Sequence, residues 1–307
     1  MPQSVVNESK LRALFVGLSE VFNGALKAAP SDYLQTCMMV PSKGRGMDYA
    51  WLTQFPRMRE WIGDKQVKNL ELQTYYVANK DWEATIGVNR NDVEDDQLGI
   101  YQVQTQMMAQ SASMLYYNIA NDLKNKAFEQ LGIDSRPFYG AHYLKDSSGV
   151  EREYHNLGNT NLAASNFTTA NASLGAARIA LMKMCDYEGQ PLGLVPDTLE
   201  VPPALEATAN ILAKADKLGD NSPNPYQGTV KVIVNSGISD DTTWFLHVTN
   251  QPIKPFIIQD RKPPQFVSQI SFDNDAVYNR REFRYGIEAR CAGAYGFWQL
   301  SYGSPGA

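Results

Sequence analysis

The sequence predicts an α+β fold, and three observations predict it. Between Ile100 and Leu131 there is neither glycine nor proline, and apolar residues recur at helical spacing. Two shorter helical patterns follow, at 169–188 and 203–217. From residue 229 onward the chain is a series of apolar runs broken by turn residues, which read as strands. A long helix, then helices, then strands is the order of an α+β chain.

Taken from the start, residues 8–28 place Leu11, Leu14, Phe15, Leu18, Val21, Phe22 and Leu26 on one helical face, and Pro30 stops the helix. Residues 31–64 hold Pro41, Gly44, Gly46 and Pro56, and read as an extended arm with one short helix near Met58. Trp51, Phe55 and Trp61 sit in that arm with little local core, so they are expected to dock on something else. Residues 70–78 and 82–90 alternate in polarity and read as two strands, with Asn79-Lys80-Asp81 as the turn between them. A lone hairpin is marginal in water and needs a surface to lie on.

Asn91 and Glu94 have capping-box spacing, and Asp92, Glu94, Asp95 and Asp96 suit the positive end of a helix. A helix is predicted over 92–131, and its stretch from Ile100 to Leu131 alone would be about 50 Å long at 1.5 Å per residue. Ile100, Val103, Met107, Ala112, Leu115, Ile119, Leu123 and Ala127 trace one face of it, and Gly132 ends it. Such a length suits the spine of an elongated subunit. Residues 133–160 are turn-rich, a short strand is predicted at Thr198–Val201, and 220–228 is a loop by composition. The remaining strands are predicted at 229–235, 242–248, 255–259, 265–272, 282–295 and 297–303.

Composition narrows the function. The chain has 307 residues, 43% of them apolar, enough to bury a sizeable core. Its net charge is −5 and no basic run marks a phosphate-gripping face, which argues against tight nucleic-acid binding. Cys37, Cys185 and Cys291 have neither metal-ligand nor redox spacing. The N-terminus lacks the pattern of a signal peptide, and no apolar run approaches membrane-spanning length.

No catalytic, cofactor or metal constellation emerges. His142, His155 and His247 read as surface or packed histidines. Lys43-Gly44-Arg45-Gly46 lacks the spacing of a phosphate loop. Glu94-Asp95-Asp96 reads as helix-terminal charge, and Asp240-Asp241 and Asp273-Asn274-Asp275 as hairpin turns.

Three separated segments, in order, carry a resemblance. They are WEATIGVNRNDVEDDQLGIY at 82–101, GQPLGLVPDTLEVPPALEATANILA at 189–213, and a C-terminal set. That set comprises NPYQGTVKVIVN at 224–235, TTWFLHV at 242–248, KPFIIQDRKPP at 254–264 and YGIEARCAGAYGFWQLSYGS at 285–304. Together they resemble the Mu-like phage and prophage major head subunit family. The resemblance implies a Hong Kong 97-like phage capsid fold with an N-terminal arm at 1–64 and an extended hairpin loop at 65–91. It further implies a peripheral domain with a spine helix at 92–160 plus returning strands 262–292, and an axial domain at 161–261 plus 293–307.

The implied function is a self-assembling major capsid protein, forming homo-pentamers and homo-hexamers of an icosahedral head around double-stranded DNA. The DNA would be held by enclosure, not by sequence-specific binding. A nanocompartment shell holding protein cargo is the alternative. The amphipathic helix begins by residue 8, so no sizeable scaffolding segment is expected and a separate scaffold protein is, with a portal and decoration proteins as further partners. No membrane partner, enzyme activity or cofactor is expected; the location is the virion, assembled in the host bacterial cytoplasm. The inter-subunit contact candidates are Trp51, Phe55, Trp61, Tyr76, Lys80, Trp82, Arg90 and Tyr226.

Overall fold

A computed structural model describes residues 8–49, 75–94, 99–145, 150–186, 189–271 and 275–306. In chain order the elements are α1 (Glu8–Lys27), α2 (Tyr33–Thr36), β1 (Cys37–Pro41), β2 (Gly46–Asp48), β3 (Tyr76–Ala78), β4 (Lys80–Asn89), α3 (Arg90–Glu94), α4 (Gly99–Ser113) and α5 (Leu115–Lys126). Then come β5 (Ala141–Lys145), β6 (Glu151–His155), α6 (Phe167–Ala170), α7 (Ala176–Met182), β7 (Thr198–Val201), α8 (Glu206–Lys214), β8 (Lys231–Val234) and β9 (Trp244–His247). The chain closes with β10 (Phe256–Gln269), α9 (Asp275–Arg280), β11 (Glu282–Tyr295) and β12 (Ser301–Ser304). The α+β class stands.

Two four-stranded sheets organise the molecule. The first runs β1-β10-β11-β4, with β1 parallel to β10 and the other pairs antiparallel. The second runs β12-β9-β7-β8, with only β7 and β8 parallel. The runs 255–259 and 265–272, read as separate strands, are joined in the single strand β10, which ends at Gln269. Its register shifts between Asp260 and Gln265, around Pro263 and Pro264, which have no N–H to give to a ladder. They are tolerated there because β1 ends opposite Asp260, so nothing waits on that side for a donor.

Of the hairpin expected from 70–78 with 82–90, residues 70–74 lie outside the described residues, and among the described ones β3 and β4 do not pair with each other. Instead β3 pairs with β2, and β4 pairs with β11 from Asn89↔Glu282 to Lys80↔Cys291. Asn79, read as part of a turn, is a crossing point. Its side-chain amide donates to Ser42 Oγ and to the Gly44 carbonyl, each at 3.0 Å, and its Oδ1 accepts from Gln259 Nε2 at 2.6 Å. The short helix expected near Met58 falls outside the described residues.

The long helix is also divided. α4 and α5 have 15 and 12 residues and meet at Met114, which has φ −83° and ψ −4°. Ser113 Oγ donates to the Gln110 carbonyl at 2.7 Å, and Thr105 Oγ1 to that of Tyr101 at 2.8 Å. Hydroxyls that bond back to helix carbonyls bend a helix. α5 stops at Lys126, short of Gly132, because the next segment folds back. The Ala127 carbonyl accepts from Tyr139 N–H and the Gln130 carbonyl from Phe138 N–H. The apolar face drawn from the sequence holds in α5, where Ile119 and Leu123 are buried. It is turned outward in α4: Val103 and Met107 are exposed, while Thr105, Met108 and Ala109 are buried. Packing against α1 and the first sheet, rather than the longest apolar stripe, selects the inner face.

The core has one large and two smaller parts. The large one gathers the second sheet, α5, α7, α8 and the ends of β10 and β11, including Trp244, Phe245, Phe256 and Tyr295. The smaller clusters lie between α1, α4 and the first sheet. There the Phe266 ring sits 5.3 Å from Phe15, 5.9 Å from Phe22 and 6.2 Å from Tyr285, which gives α1 its aromatic anchor.

Candidate assembly surfaces and a buried polar centre

Of the contact candidates, Trp51, Phe55 and Trp61 lie outside the described residues. Tyr76, Lys80 and Trp82 share one corner, where β3 passes through Asn79 into β4. Tyr76 is 60% exposed and its ring lies over Gly46, where a Cβ would meet it at 2.5 Å. Lys80 is exposed and stands opposite Cys291 in the ladder. Trp82 is 37% exposed, with its indole N–H donating to the Cys291 carbonyl at 3.2 Å. The ring is thus fixed by its polar edge while its apolar body faces outward, which suits a contact residue.

Arg90 opens α3, and its backbone N–H donates to the Arg281 carbonyl at 2.8 Å. Tyr226 is half-buried and already engaged within the subunit. Its hydroxyl donates to Asn171 Oδ1 at 2.8 Å and crowds Gly175, so it ties the 219–228 loop to the α6–α7 helix. An outward surface absent from the candidates is the Val103–Met107 face of α4. Its signal in the sequence is that no charged residue occurs from Gln97 to Asn121, and depletion of charge is a mark of interface centres.

A second feature had only faint sequence signals: Glu200 inside the apolar strand TLEV, and His247 after Phe245 and Leu246. The fold brings both to Lys124 of α5. Lys124 Nζ donates to Glu200 Oε1 at 2.7 Å, and both side chains are about 2% exposed. His247 Nε2 meets Glu200 Oε2 at 3.0 Å, and its Nδ1 meets Ser301 Oγ at 2.8 Å. Ser301 in turn meets the Tyr139 hydroxyl at 2.7 Å. Asn235 Nδ2 donates to Glu200 Oε1 at 2.5 Å and to Asn121 Oδ1 at 2.8 Å.

Burial alone would raise the Glu200 carboxyl, but Lys124 and the His247 hydrogen bond outweigh it and hold the group down to about 2. Burial pushes the His247 imidazole below its ordinary value against the opposing pull of Glu200. Ser301, His247 and Glu200 follow the order of a nucleophile, a base and an orienting acid. Ser301 and His247 have no accessible surface and Glu200 has 1%, so no substrate reaches the hydroxyl.

The other histidines are accounted for by packing and surface contacts. His142 is buried, its ring stacked 4.0 Å from that of Trp298 and its Nδ1 2.5 Å from Asp134 Oδ2. His155 is exposed beside Glu153 at 3.3 Å. Asp240 accepts from the N–H and the hydroxyl of Thr242 as a turn residue does, but the turn is not a hairpin, because β8 and β9 flank β7 instead of pairing with each other. Among the described residues no group of acidic, His or Cys side chains could hold a metal ion, and no helix is long and apolar enough to cross a membrane.

Comparison with known proteins places this geometry. The chain matches the family described as Mu-like prophage major head subunit gpT over residues 11–170, 160–238 and 234–307. It is 26% identical to the major capsid protein of Escherichia phage Mu over 297 residues, covering 97% of this chain and 74% of that protein. It is 25% identical to the Mu-like prophage FluMu major head subunit of Haemophilus influenzae over 98% of this chain and 75% of the relative. Among solved structures, a chain of the bacteriophage JBD30 procapsid superposes with a TM-score of 0.62 at 26% identity, covering 97% of this chain and 76% of that one.

Proposed function

Because this chain belongs to the Mu-like prophage major head subunit gpT family, and so is a major capsid protein of Hong Kong 97-like fold, we propose how it works. Its copies form pentamers and hexamers that close into an icosahedral head around double-stranded DNA. The observation that carries this reading is the match to phage head subunits along almost the whole chain, on the same fold as a procapsid subunit.

The physical requirement is many weak contacts per subunit, which closure makes collectively strong. The Tyr76–Lys80–Trp82 corner supplies one such contact in this reading, and the arm residues Trp51, Phe55 and Trp61 supply others. Arg90 and Tyr226 are assigned to the margins of contacts, Tyr226 by holding its loop in shape. The role is structural rather than catalytic, and the sealing of Ser301 and His247 from solvent supports that. The net charge of −5 suits a container that encloses DNA without gripping it. A separate scaffold protein, a portal and decoration proteins complete the proposed partners, with assembly in the host bacterial cytoplasm.

Negative-stain microscopy of the chain expressed with its scaffold should show closed spherical particles. A 34.2 kDa monomer at high concentration in the presence of the scaffold would sink the reading. Particles that hold protein cargo in place of DNA would point to a nanocompartment. Trp82→Ala should cut particle yield several-fold while moving subunit stability by less than about 1 kcal/mol, because the ring is already part-exposed. Equal losses in both would remove Trp82 from the contact set.

A further inference from the structure

We propose that Lys124 and Asn235 become joined by an intramolecular isopeptide bond, with Glu200 as the proton carrier, welding α5 to the loop that follows β8. The case rests on where the reacting atoms sit. Lys124 Nζ and Asn235 Nδ2 both donate to one oxygen, Glu200 Oε1, at 2.7 and 2.5 Å. The attacking nitrogen and the departing nitrogen are therefore at most two hydrogen bonds apart, with a carboxylate between them to pass protons.

The electrophile is held as acyl transfer requires. Asn235 Oδ1 receives the Tyr117 hydroxyl at 2.6 Å and the Gly237 N–H at 2.8 Å. Two donors thus converge on the oxygen that gains negative charge when the amide carbon is attacked. Asn121 Oδ1 holds the amide nitrogen from the other side at 2.8 Å. Glu200 is oriented through its second oxygen by His247, and His247 by Ser301. The Phe256 ring stands 5.8 Å from Lys124 Nζ, and Lys124, Glu200 and Asn235 are all buried, which limits the water that can compete as the nucleophile to what the narrow cleft admits.

The step balances without any added reagent. The resting pair is ionic, and the reacting state is the minor one in which a proton has passed uphill from Lys124 Nζ to Glu200 Oε1 along their hydrogen bond, leaving a neutral amine. The amine lone pair attacks Asn235 Cγ and forms the Nζ–Cγ bond. As the tetrahedral intermediate collapses, the Cγ–Nδ2 bond breaks and its electron pair leaves with nitrogen. Glu200 takes the surplus proton from Nζ and delivers protons to Nδ2, which departs as ammonium. Glu200 ends as the carboxylate it began as. A narrow cleft lined by Asp32, Tyr33, Tyr117 and Val234 opens onto the cluster, and Asp32 gives the departing cation a polar way out.

Intact-mass measurement of the full chain in denaturant tests this directly. The wild-type chain should weigh one ammonia less than its sequence. Digestion should yield a single branched peptide joining the segments around Lys124 and Asn235, with trypsin unable to cut after Lys124. Glu200→Gln and Lys124→Arg should both return to full sequence mass. A wild-type chain at full mass overturns the proposal, and so does recovery of residue 235 as free Asn or as Asp. Because the decisive reading is made on the wild-type chain, misfolding of a variant cannot rescue or sink it.

Discussion

The two sheets are finished differently. In the second sheet β7, β9 and β12 are buried along their whole lengths, with helices and loops on both faces. In the outer half of the first sheet one face carries Ala84, Ile86, Val88, Phe266, Tyr285 and Ile287 toward α1 and α4. The other face carries Glu83, Thr85, Gly87, Gln265 and Glu288, all exposed. Glu83 even stands directly opposite Glu288, a like-charge pair that weakens a ladder unless solvent or a cation intervenes. Lys262 answers that charge at 3.0 Å from Glu288. One region has spent its surface inside the subunit, while the other keeps a broad polar face and, among the described residues, β4 at its edge with β11 as its only strand partner. In a head subunit the first can carry shape and the second remains available to neighbours.

The sharpest way to break this comparison is to remove one charge from each region. In an Asn235→Ala background, where no link can form, Glu200→Ala leaves Lys124 buried without its partner and should cost roughly 3–5 kcal/mol. Glu83→Ala should stay within about 0.5 kcal/mol. Urea unfolding of the two variants measures both, and similar shifts would erase the distinction.

Glycines offer a smaller contrast of opposite sign. A Cβ at Gly293 would lie 2.7 Å from Leu123 Cδ1 and 2.8 Å from Ile119 Cγ2, where α5 crosses β11. Gly293→Ala should therefore cost about 1–3 kcal/mol by overpacking. Gly17, on the outer side of α1, has nothing within 4 Å of such an atom. Gly17→Ala should stabilise the subunit by about 0.5–1 kcal/mol, because alanine loses less freedom in a helix. Thermal unfolding resolves both signs.

Acid gives the third test, made in an Asn235→Ala background where no link can form. Glu200 then remains the carboxylate of an ion pair, with its folded value of about 2 below the ordinary 4.5. Between those values the unfolded chain binds the extra proton, so stability from this group is complete above about 4.5 and lost as pH falls toward 2. Unfolding midpoints from pH 7 to pH 2 should fall through that window, and adding Glu200→Gln should remove this part of the fall.

Local patterns were legible and distant pairings were not. From Phe15 onward the stripe of α1 holds, because Leu18 and Phe22 face a sheet as three-and-four spacing requires. Residues 82–90 read correctly as a strand because Ala84, Ile86 and Val88 alternate. Its partner, more than 190 residues away, leaves no local mark, so a turn-like Asn-Lys-Asp suggested the wrong mate. The face of α4 was misassigned for a related reason: Val103 and Met107 are apolar but point away from the layer that fixes the helix. Tyr76, Lys80 and Trp82 come from one continuous stretch, so their shared corner needs no distant pairing, and their role as contacts is a proposal. The Lys124–Glu200–Asn235–His247–Ser301 centre draws on five segments, and only a polar residue inside an apolar strand hinted at it.

Strand β1 pairs with β10 from Cys37↔Phe256 to Pro41↔Asp260, and β4 waits for β11. Neither early strand has a seat in the first sheet until the last fifth of the chain exists. At a synthesis rate of about 5–20 residues per second, that leaves the N-terminal strands without partners for roughly ten seconds or more on the ribosome. The first sheet is thus assembled only at the close of translation, and a truncated product ending before residue 256 has no place to put Cys37–Pro41 or Lys80–Asn89. Premature copies lacking that seat cannot complete the first sheet, and so cannot present the surface it forms.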